Sequence, residues 1–477
     1  MHNLSRIALS GILWSTIERF STQLASFIIT IIVARKLSPQ DYGLVAMLGI
    51  FMAIAQTFVD SGFSNALIQK QDRNDAEFST VFWFNIITSL AMYCIMVLIS
   101  PFVAQFYGQP LLKRIIPAFS LTLVIGALSA IQRTRLIISL DFKSLARIAI
   151  TSTILSGMLA IHLANRGYGV WTLVAQSISN SAIQGIILWY RCKWRPLFLF
   201  SANSFRSLFP FGSKLLASGL LHTIYTDLYT LFIGKLFSAS SLGLFTNARK
   251  LSSMPSTNIS GILSKVMYPI MCRVQADPED LAKKVLKMVE LSSFFIFPAM
   301  AGLSILAEPV ITLLLGEKWA GSVPFVRIIS LAYVWDCIMV FLGNAVNARG
   351  KSDYFFRAEI WKKIAAVTLL LVSIPFGING MCWSLVLYSL ADIFIITRYT
   401  RRTMPLLTLR NVVKCIIPVL LHTLLMGSAI ITFTRFTKSP LLQLSGGTII
   451  GIIIYVSSIY LLNNKKFNQL CKIISYR

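Results

Sequence analysis

Residues 81–102, VFWFNIITSLAMYCIMVLISPF, decide the fold class because they contain no charged side chain. A helix needs about 20 largely apolar residues to cross a bilayer, and this stretch is long enough. Residues 442–462 have the same character. Apolar and polar residues do not alternate in either stretch, and both stretches are too long for membrane strands of about 10 residues. The sequence therefore predicts an all-α polytopic membrane protein.

The composition of the whole chain agrees with this prediction. Of 477 residues, 56% are hydrophobic and only 13% are charged, whereas soluble domains carry about 25% charged residues. A cytosolic enzyme, a secreted disulfide domain and a disordered chain are excluded. Apolar runs bounded by charged residues, Gly, Pro or Asn predict about 14 transmembrane helices, at 11–34, 43–64, 80–103, 115–132, 148–164, 168–190, 212–234, 243–271, 289–315, 324–347, 361–376, 380–397, 412–434 and 441–462.

The net charge of +26, from 44 Lys and Arg against 18 Asp and Glu, indicates the orientation in the membrane. Cytoplasmic loops carry an excess of cations, so the richer set of alternate loops and both termini are predicted to be cytoplasmic. The richer loops include Arg133, Arg135, Lys143, Arg147, Arg349, Lys351, Arg357, Lys362 and Lys363. Most of the excess charge is thus topological, and no nucleic-acid partner is implied. The seven cysteines are scattered and have no metal-ligand spacing, so no metal and no cofactor are predicted.

A short internal repeat relates the two halves of the chain. Residues 34–38 with Gly43-Leu44 match residues 234–238 with Gly243-Leu244, at an offset of 200 residues. The copies align the first predicted helix with the seventh and the second with the eighth. This predicts two six-helix bundles of the same orientation around a central cavity, at 1–206 and 207–400, followed by two C-terminal helices and a cytoplasmic tail at 401–477.

Charged side chains inside the membrane are expensive and usually face a bundle interior or a water-filled cavity. They cluster in the duplicated helices, together with a polar stripe on the eighth helix that includes Asn247, Ser253, Ser256, Thr257, Asn258, Ser260 and Ser264. The predicted substrate-binding cations are Arg19, Lys214, Arg249, Lys250 and Lys265. The predicted coupling or cavity-lining polar residues are Glu18, Asp60, His222 and Asp227.

A mainly cationic cavity favours an anionic substrate, because Lys and Arg donate charge-assisted hydrogen bonds to phosphate or carboxylate. Snorkelling to a membrane interface is the alternative for several of these cations, and an internal pair is the alternative for Glu18 and Arg19. Glu308, Asp336 and Asp392 are weaker candidates for a proton relay.

Several chemistries are missing from the sequence. No GxxxxGK[ST] motif is present, so nucleotide hydrolysis is not predicted. The predicted outer loops, such as 105–111 and 317–322, are too short for the catalytic face of a glycan polymerase or ligase. These observations favour a transporter over an enzyme, and no catalytic residue is assigned.

The local strings resemble the polysaccharide/oligosaccharide flippases (Wzx-type) of the multidrug/oligosaccharidyl-lipid/polysaccharide exporter superfamily. The resemblance extends to about residue 360 and is carried by residues 11–14, 34–44, 227–234, 242–244, 266–269, 277–279, 298–302, 307–310 and 315–319. It implies two six-helix bundles that face a central cavity, plus two further helices.

The resemblance also implies the activity. The expected substrate is an undecaprenyl-pyrophosphate-linked oligosaccharide, such as an O-antigen, capsule or exopolysaccharide repeat unit. The resemblance implies that it is moved across the bacterial inner membrane by alternating access coupled to an ion. Expected partners are membrane lipid and the glycan polymerase and glycosyltransferases of the pathway. A cation-coupled multidrug exporter of the same superfamily remains an alternative, as does a membrane glycan polymerase or ligase.

Overall fold

The computed structural model describes residues 2–60, 62–70 and 72–462, and these residues form helices and connecting segments without a strand. Contacts divide the chain into two compact units, at 1–243 and 244–477. The all-α membrane architecture predicted from the sequence is confirmed. The predicted domain boundaries at 206/207 and 400/401 stay predictions.

The first unit is built from eight helices and the start of a ninth. Their bounds are α1 His2–Lys36, α2 Pro39–Asp60, α3 Phe63–Gln69, α4 Asp75–Tyr107, α5 Leu112–Ile138, α6 Phe142–Asn165, α7 Val170–Arg191, α8 Ala202–Leu236 and α9 Ala239–Arg273. Most of α9 belongs to the second unit. The helices α8 and α9 correspond to the seventh and eighth predicted spans, at 212–234 and 243–271, and each begins several residues before its predicted span.

The second unit continues from α9 through eight more helices and two short 3₁₀ turns. The helices are α10 Pro278–Ile305, α11 Ala307–Leu314, α12 Val323–Tyr333, α13 Asp336–Ala348, α14 Ser352–Ser373, α15 Gly377–Thr403, α16 Leu409–Phe436 and α17 Pro440–Leu462, and the 3₁₀ turns are Glu317–Ser322 and Ile374–Phe376. The helices α16 and α17 pack on α10 and α11, and the Tyr455 hydroxyl donates to the Phe294 carbonyl at 2.8 Å.

Ten segments of the described chain are long and apolar enough to cross a membrane, and one of them, Asp353–Thr403, contains both α14 and α15. The helices α7, α8 and α9 are 22, 35 and 35 residues long but carry more polar sequence. A count of fourteen spans is consistent with this set.

Two predicted spans are interrupted in the structure. The span at 289–315 ends as a helix at Ile305 because Pro309 has no amide hydrogen and its ring would meet the carbonyl of Ile305, four residues earlier. The span at 324–347 is divided between α12 and α13 at residues 334–335, so that Asp336 opens a new helix.

The helix starts of the repeat are capped in the same way. Ser38 accepts from the Asp41 amide at 3.3 Å, and the Asp41 carboxylate accepts from the Ser38 amide at 2.9 Å. At the offset of 200 residues, Ser238 accepts from the Ser241 amide at 3.1 Å. Side-chain oxygens at these positions satisfy amides that have no partner in the first turn of a helix. The repeated residues therefore form a serine-capped helix start in both halves of the repeat.

The repeated glycines form a reciprocal close contact within the first unit. A Cβ atom at Gly43 would lie 1.7 Å from the Ala239 carbonyl oxygen, and one at Gly243 would lie 1.8 Å from the Pro39 carbonyl oxygen. Pro39 and Ala239 are themselves related by the offset of 200 residues. The starts of α2 and α9 can therefore approach only because both glycines lack a side chain.

The extended segment between α7 and α8 is held against the start of α4. The Leu197 amide donates to the Ser79 hydroxyl at 2.9 Å and the Ser201 amide to Thr80 at 3.0 Å. The Trp83 indole donates to the Leu197 carbonyl at 2.8 Å. Side chains thus satisfy the backbone of a connection that has no secondary structure of its own.

Capping also orders the start of α10. The exposed Asp277 carboxylate accepts from the amides of Glu279 and Asp280 at 2.8 and 3.2 Å. The backbone hydrogen bonds from Asp280 and Glu279 lower the pKa of Asp277 below its usual value. The carboxylate therefore stays charged as a helix cap at neutral pH.

We predict that Gly43→Ala destabilises the protein by about 1–3 kcal/mol, because the new methyl group overpacks a contact made by backbone atoms. Thermal unfolding of the purified protein in detergent measures this effect. The matched control is Gly49→Ala on the same helix, where a Cβ meets nothing within 4 Å; it should leave stability unchanged or raise it by up to about 1 kcal/mol. Equal effects of the two substitutions would contradict the close contact.

Candidate functional site: a polar cavity in the first unit

The first unit encloses a cavity of about 640 Å³ between α2, α3, α4, α5 and α7. Its walls are mainly polar and uncharged. The polar lining residues are Gln56, Asp60, Ser64, Asn65, Asn85, Thr122, Ser129, Arg133, Thr134, Ser177, Asn180, Ser181 and Gln184. A polar cavity of this size within a bundle of membrane helices is a candidate for a binding site.

Helical periodicity places these side chains on common faces. On α7, Ser177, Asn180, Ser181 and Gln184 recur at spacings of three and four residues and line the cavity together. On α5, the polar lining residues are Thr122, Ser129, Arg133 and Thr134. The short helix α3 adds Ser64 and Asn65 near the end of α2.

The C-terminus of α3 is secured by a cation. The Arg73 guanidinium donates to the carbonyls of Lys70, Leu67 and Ile68 at 2.7, 3.2 and 3.3 Å. Lys70 forms an ion pair with Glu77, which is 4% exposed. A cation at this position satisfies carbonyls left open at the helix end. These two basic residues therefore position a wall of the cavity.

The charged residues of the cavity are Asp60 and Arg133. The Asp60 carboxylate accepts from the Gln56 amide at 2.9 Å. The Arg133 guanidinium lies within electrostatic range of Asp60 and also of Glu18 on α1. Two of the acidic residues predicted from the sequence therefore share a basic neighbour that sequence analysis assigned only to a cytoplasmic loop.

Two amide oxygens in the cavity wall have no hydrogen-bond partner in the described part of the chain. These are Oδ1 of Asn85 and Oδ1 of Asn180, both buried. A buried acceptor left unsatisfied costs about 1–3 kcal/mol. Water or the hydroxyl groups of a ligand would remove this cost.

The other predicted residues are distributed over three helices. On α1, Glu18 is half-buried and Arg19 is exposed. Asp227 on α8 is half-buried, whereas the side chains of Lys214 and His222 lie outside the described residues. On α9, in the second unit, Arg249 is half-buried and both Lys250 and Lys265 are exposed. Their assembly around one central cavity stays a prediction.

Part of the expectation for α9 needs correction. Its buried serines serve helix packing inside the second unit: Ser256 donates to the Tyr333 carbonyl at 3.0 Å, and the Asn344 amide donates to Ser264 at 3.2 Å. The sequence shows that such side chains cannot face lipid, but it does not show whether they face a cavity or a neighbouring helix.

Lys362 also needs correction, because it is not a loop cation. It lies on α14, is 5% exposed and forms an ion pair with Asp392 of α15 at 2.8 Å. The predicted span begins at residue 361 because charged residues lower the hydropathy before that position. The helix α14 begins nine residues earlier, and its first part has a mixed polar sequence.

The neutral stripe on α7 is the part of the site that sequence analysis missed. The search for intramembrane charges passed over this helix because it has none in its middle. The spacing of Ser177, Asn180, Ser181 and Gln184 is nevertheless a sequence signal for a polar helix face.

The fold and the cavity define a helical, multi-pass membrane transporter. The family model described as "Polysaccharide biosynthesis protein" matches residues 32–324, and the chain belongs to this family. Its membrane is therefore the bacterial inner membrane.

Individual relatives have low sequence identity to this chain, but the matches cover about three quarters of both proteins. The chain is 26% identical over 359 residues to the teichuronic acid biosynthesis protein TuaB of Bacillus subtilis (strain 168), covering 75% of this chain and 74% of the relative. It is 23% identical over 373 residues to the lipopolysaccharide biosynthesis protein WzxC of Escherichia coli (strain K12), covering 78% and 76%.

Among solved structures, the fold is similar to that of the lipid II flippase MurJ in an inward closed conformation. The TM-score is 0.76 with 16% sequence identity, and the match covers 95% of this chain and 99% of that chain. At this identity the likeness establishes the shared fold.

We predict that a cysteine at position 181 reacts readily with a water-soluble maleimide, whereas a cysteine at position 120 does not. Ser181 lines the cavity, but Ser120 is fully buried on α5 and bonded to the Ile116 carbonyl. The reactive thiolate forms in contact with water and is suppressed in apolar surroundings. Labelling is measured after Ser181→Cys and Ser120→Cys are placed in a variant without the seven native cysteines. A cysteine at position 181 that labels as poorly as one at position 120 would contradict an aqueous cavity.

Proposed function

We propose that the protein is a flippase that moves a lipid-linked oligosaccharide across the cytoplasmic membrane by alternating access. The observation that carries the proposal is a polar cavity, rich in amides and hydroxyls, within a membrane bundle of a polysaccharide biosynthesis family member. The names of the relatives, which refer to teichuronic acid and lipopolysaccharide biosynthesis, support a glycan as the cargo.

The chemistry of the cavity fits the head of such a substrate. Sugar hydroxyls both donate and accept hydrogen bonds, and the unpartnered oxygens of Asn85 and Asn180 are ready acceptors. Arg133 provides a guanidinium, whose planar donors match phosphate oxygens. The polyprenyl tail would remain in the bilayer, since no part of it needs a polar environment.

The position of the cavity favours loading from the cytoplasm. Asp60 is the last residue of α2, and Arg133 lies five residues before the end of α5. The positive-inside rule puts these helix ends on the cytoplasmic side, together with both termini. We therefore assign the cavity to the first contact with substrate made on that side.

The cations predicted from the sequence extend this assignment. Arg19, Lys214, Arg249, Lys250 and Lys265 are proposed to hold the pyrophosphate or acidic sugars during transfer. Glu18, Asp60, His222 and Asp227 are proposed to couple transport to an ion or to position the cations. The glycosyltransferases and glycan polymerase of the pathway are the proposed partners, since they make and consume the substrate.

We predict that Arg133→Ala abolishes surface polysaccharide when it replaces the wild-type protein in a deletion strain. A hydrogen bond to a charged group contributes about 1.5–3 kcal/mol, so losing the guanidinium weakens phosphate binding more than about tenfold. Surface glycan is measured by gel and immunoblot at matched protein levels.

The matched control for Arg133 is Arg135→Ala, two residues along the same helix. Arg135 is outside the cavity lining and is paired with Asp75 at 3.0 Å. Export should persist in this variant. Normal polysaccharide in Arg133→Ala would contradict the cavity assignment, and drug sensitivity with unchanged polysaccharide would favour the multidrug exporter instead.

We also predict that Lys214→Ala and Arg249→Ala each abolish export while the protein still inserts and folds. Each removes a cation whose placement in the membrane is costly and is explained by an anionic substrate. Lys283→Ala serves as the control because its side chain is 69% exposed on α10. Normal surface glycan in both of the first two variants would rule out a substrate role for these cations.

A further inference from the structure

The connection between α7 and α8, residues 192–201 (CKWRPLFLFS), carries basic and large apolar side chains that do not line the cavity. We call it the basic aromatic loop. Four consecutive apolar side chains in it are exposed, at 50%, 95%, 47% and 52% for Leu197, Phe198, Leu199 and Phe200. An exposed apolar patch of this kind marks a contact with a membrane or with another protein.

Hydrogen bonds to α4 fix the path of the loop. At the start of α4, Asp75 Oδ1 accepts from the Trp194 indole at 2.9 Å. Eight residues further along this helix, the Trp83 indole donates to the Leu197 carbonyl at 2.8 Å. A helix rises about 1.5 Å per residue, or about 12 Å over this distance. The loop therefore runs along α4 from its first residue toward the level of Trp83, where the apolar run 81–102 begins.

The tip of the loop is Phe198, where the chain bends. The Phe198 ring packs against the Trp83 ring with centroids 5.3 Å apart, and its side chain is almost fully exposed. The chain then turns back, because the Ser201 amide donates to Thr80 at 3.0 Å. Aromatic rings at the ends of membrane spans are typical of the interface between lipid and water.

The backbone of the loop is adapted to a place with little water. The Leu197 amide donates to Ser79 at 2.9 Å, and its carbonyl is bonded to Trp83. Pro196 has no amide hydrogen that needs a partner. Irregular backbone is tolerated at membrane depth only where the protein satisfies it. These contacts allow a segment without secondary structure to lie at the edge of the bilayer.

Lys193 and Arg195 give the loop a positive charge that the protein does not neutralise. Both side chains are exposed. Neither is within ion-pair distance of a carboxylate in the described part of the chain. The sequence has no acidic residue between positions 142 and 226. The charge of the loop therefore complements an anionic surface.

Acidic residues on neighbouring helices are engaged by other cations. Asp75 on α4 forms an ion pair with Arg135 of α5 at 3.0 Å. Asp141 caps the start of α6 by accepting from the Ser144 amide at 3.1 Å, and it lies within electrostatic range of Arg191, just before the loop. Lys193 and Arg195 are thus available to bind an anion outside the protein.

We propose that the basic aromatic loop is a binding site for anionic phospholipid at the cytoplasmic surface of the membrane. Phe198 and its apolar neighbours insert among the acyl chains next to the headgroups, and Lys193 and Arg195 bind the negatively charged headgroup. Buried apolar area and attraction to anionic lipid are the two contributions that hold a segment at an interface. The positive-inside rule assigns this end of α4 to the cytoplasm. This lipid is not the cargo, so the proposal does not rest on the proposed function.

The accessibility of a spin label at Phe198→Cys tests where the loop lies. The label is attached in a variant without the seven native cysteines, in vesicles of equal parts phosphatidylcholine and phosphatidylglycerol. Oxygen concentrates in lipid, whereas a nickel chelate stays in water. The reference positions are Leu90→Cys, exposed in the middle of the run 81–102, and Lys283→Cys, exposed on α10. The ratio of oxygen to nickel accessibility at position 198 should lie between the ratios at these two positions.

Titration with phosphatidylglycerol tests the two cations. Native mass spectrometry of the purified protein in detergent measures the affinity of the first lipid to bind. In the double variant Lys193→Gln/Arg195→Gln this affinity should fall roughly thirtyfold, about fivefold for each cation removed. The matched control is Lys113→Gln/Arg114→Gln, which removes two exposed cations at the start of α5. The control should bind phosphatidylglycerol as the wild type does.

Several results would overturn the proposal. A ratio at position 198 as low as that of Lys283→Cys would place the loop in water, and poor access for both reagents would mean that a protein covers it. Unchanged affinity in the Lys193/Arg195 variant, or an equal loss in both double variants, would remove the headgroup site. Neither measurement depends on export, so these failures would leave the proposed function untouched.

Discussion

The structure depends above all on the cost of a polar group without a partner inside a membrane. Where no water is available, each buried amide, hydroxyl or charge must find its partner within the protein. This constraint explains why the membrane-spanning segments of the described chain are helices. Many polar side chains in helix interiors therefore have a packing partner, such as Ser264 with Asn344, or face the cavity, whereas a few, such as Gln132 and Thr172, have no hydrogen-bond partner among the described residues.

The same constraint separates two sets of serines that look alike in the sequence. Three serines of α9 (Ser252, Ser256 and Ser264) make direct hydrogen bonds to α12 or α13, including one between Ser252 and Ser330 at 3.1 Å. The polar residues of α7 line a cavity, and Asn180 is left with an open acceptor. Only the identity of the neighbouring helix distinguishes a structural hydroxyl from a functional one. That identity is a tertiary property and cannot be found by examining a single helix.

The fold class and the repeat were predictable from the sequence because both rest on local chemistry. An uncharged run such as 81–102 is stable in a bilayer as a helix. The capping residues Ser38 and Ser238 recur together with the helix starts that they cap. Arg133 and Lys362 were misassigned for a single reason. A rule that counts cations near span ends treats each as a topological mark, but α5 and α14 extend past the apolar windows, so that Arg133 lines the cavity and Lys362 is buried in an ion pair.

A carbohydrate-binding site in a membrane protein can consist mainly of neutral side chains, so charged residues alone do not reveal it. Neutral amides and hydroxyls are far less expensive to bury than ions, and they match sugar hydroxyls in donor and acceptor number. A glycan cavity can therefore be lined mostly by residues like Asn85, Asn180 and Gln184, with a guanidinium only where a phosphate has to be held. The ionic groups then have to be explained separately. Lys362 and Asp392 of the second unit are paired with each other and are not among the residues that line this cavity, so binding of a glycan there does not explain them.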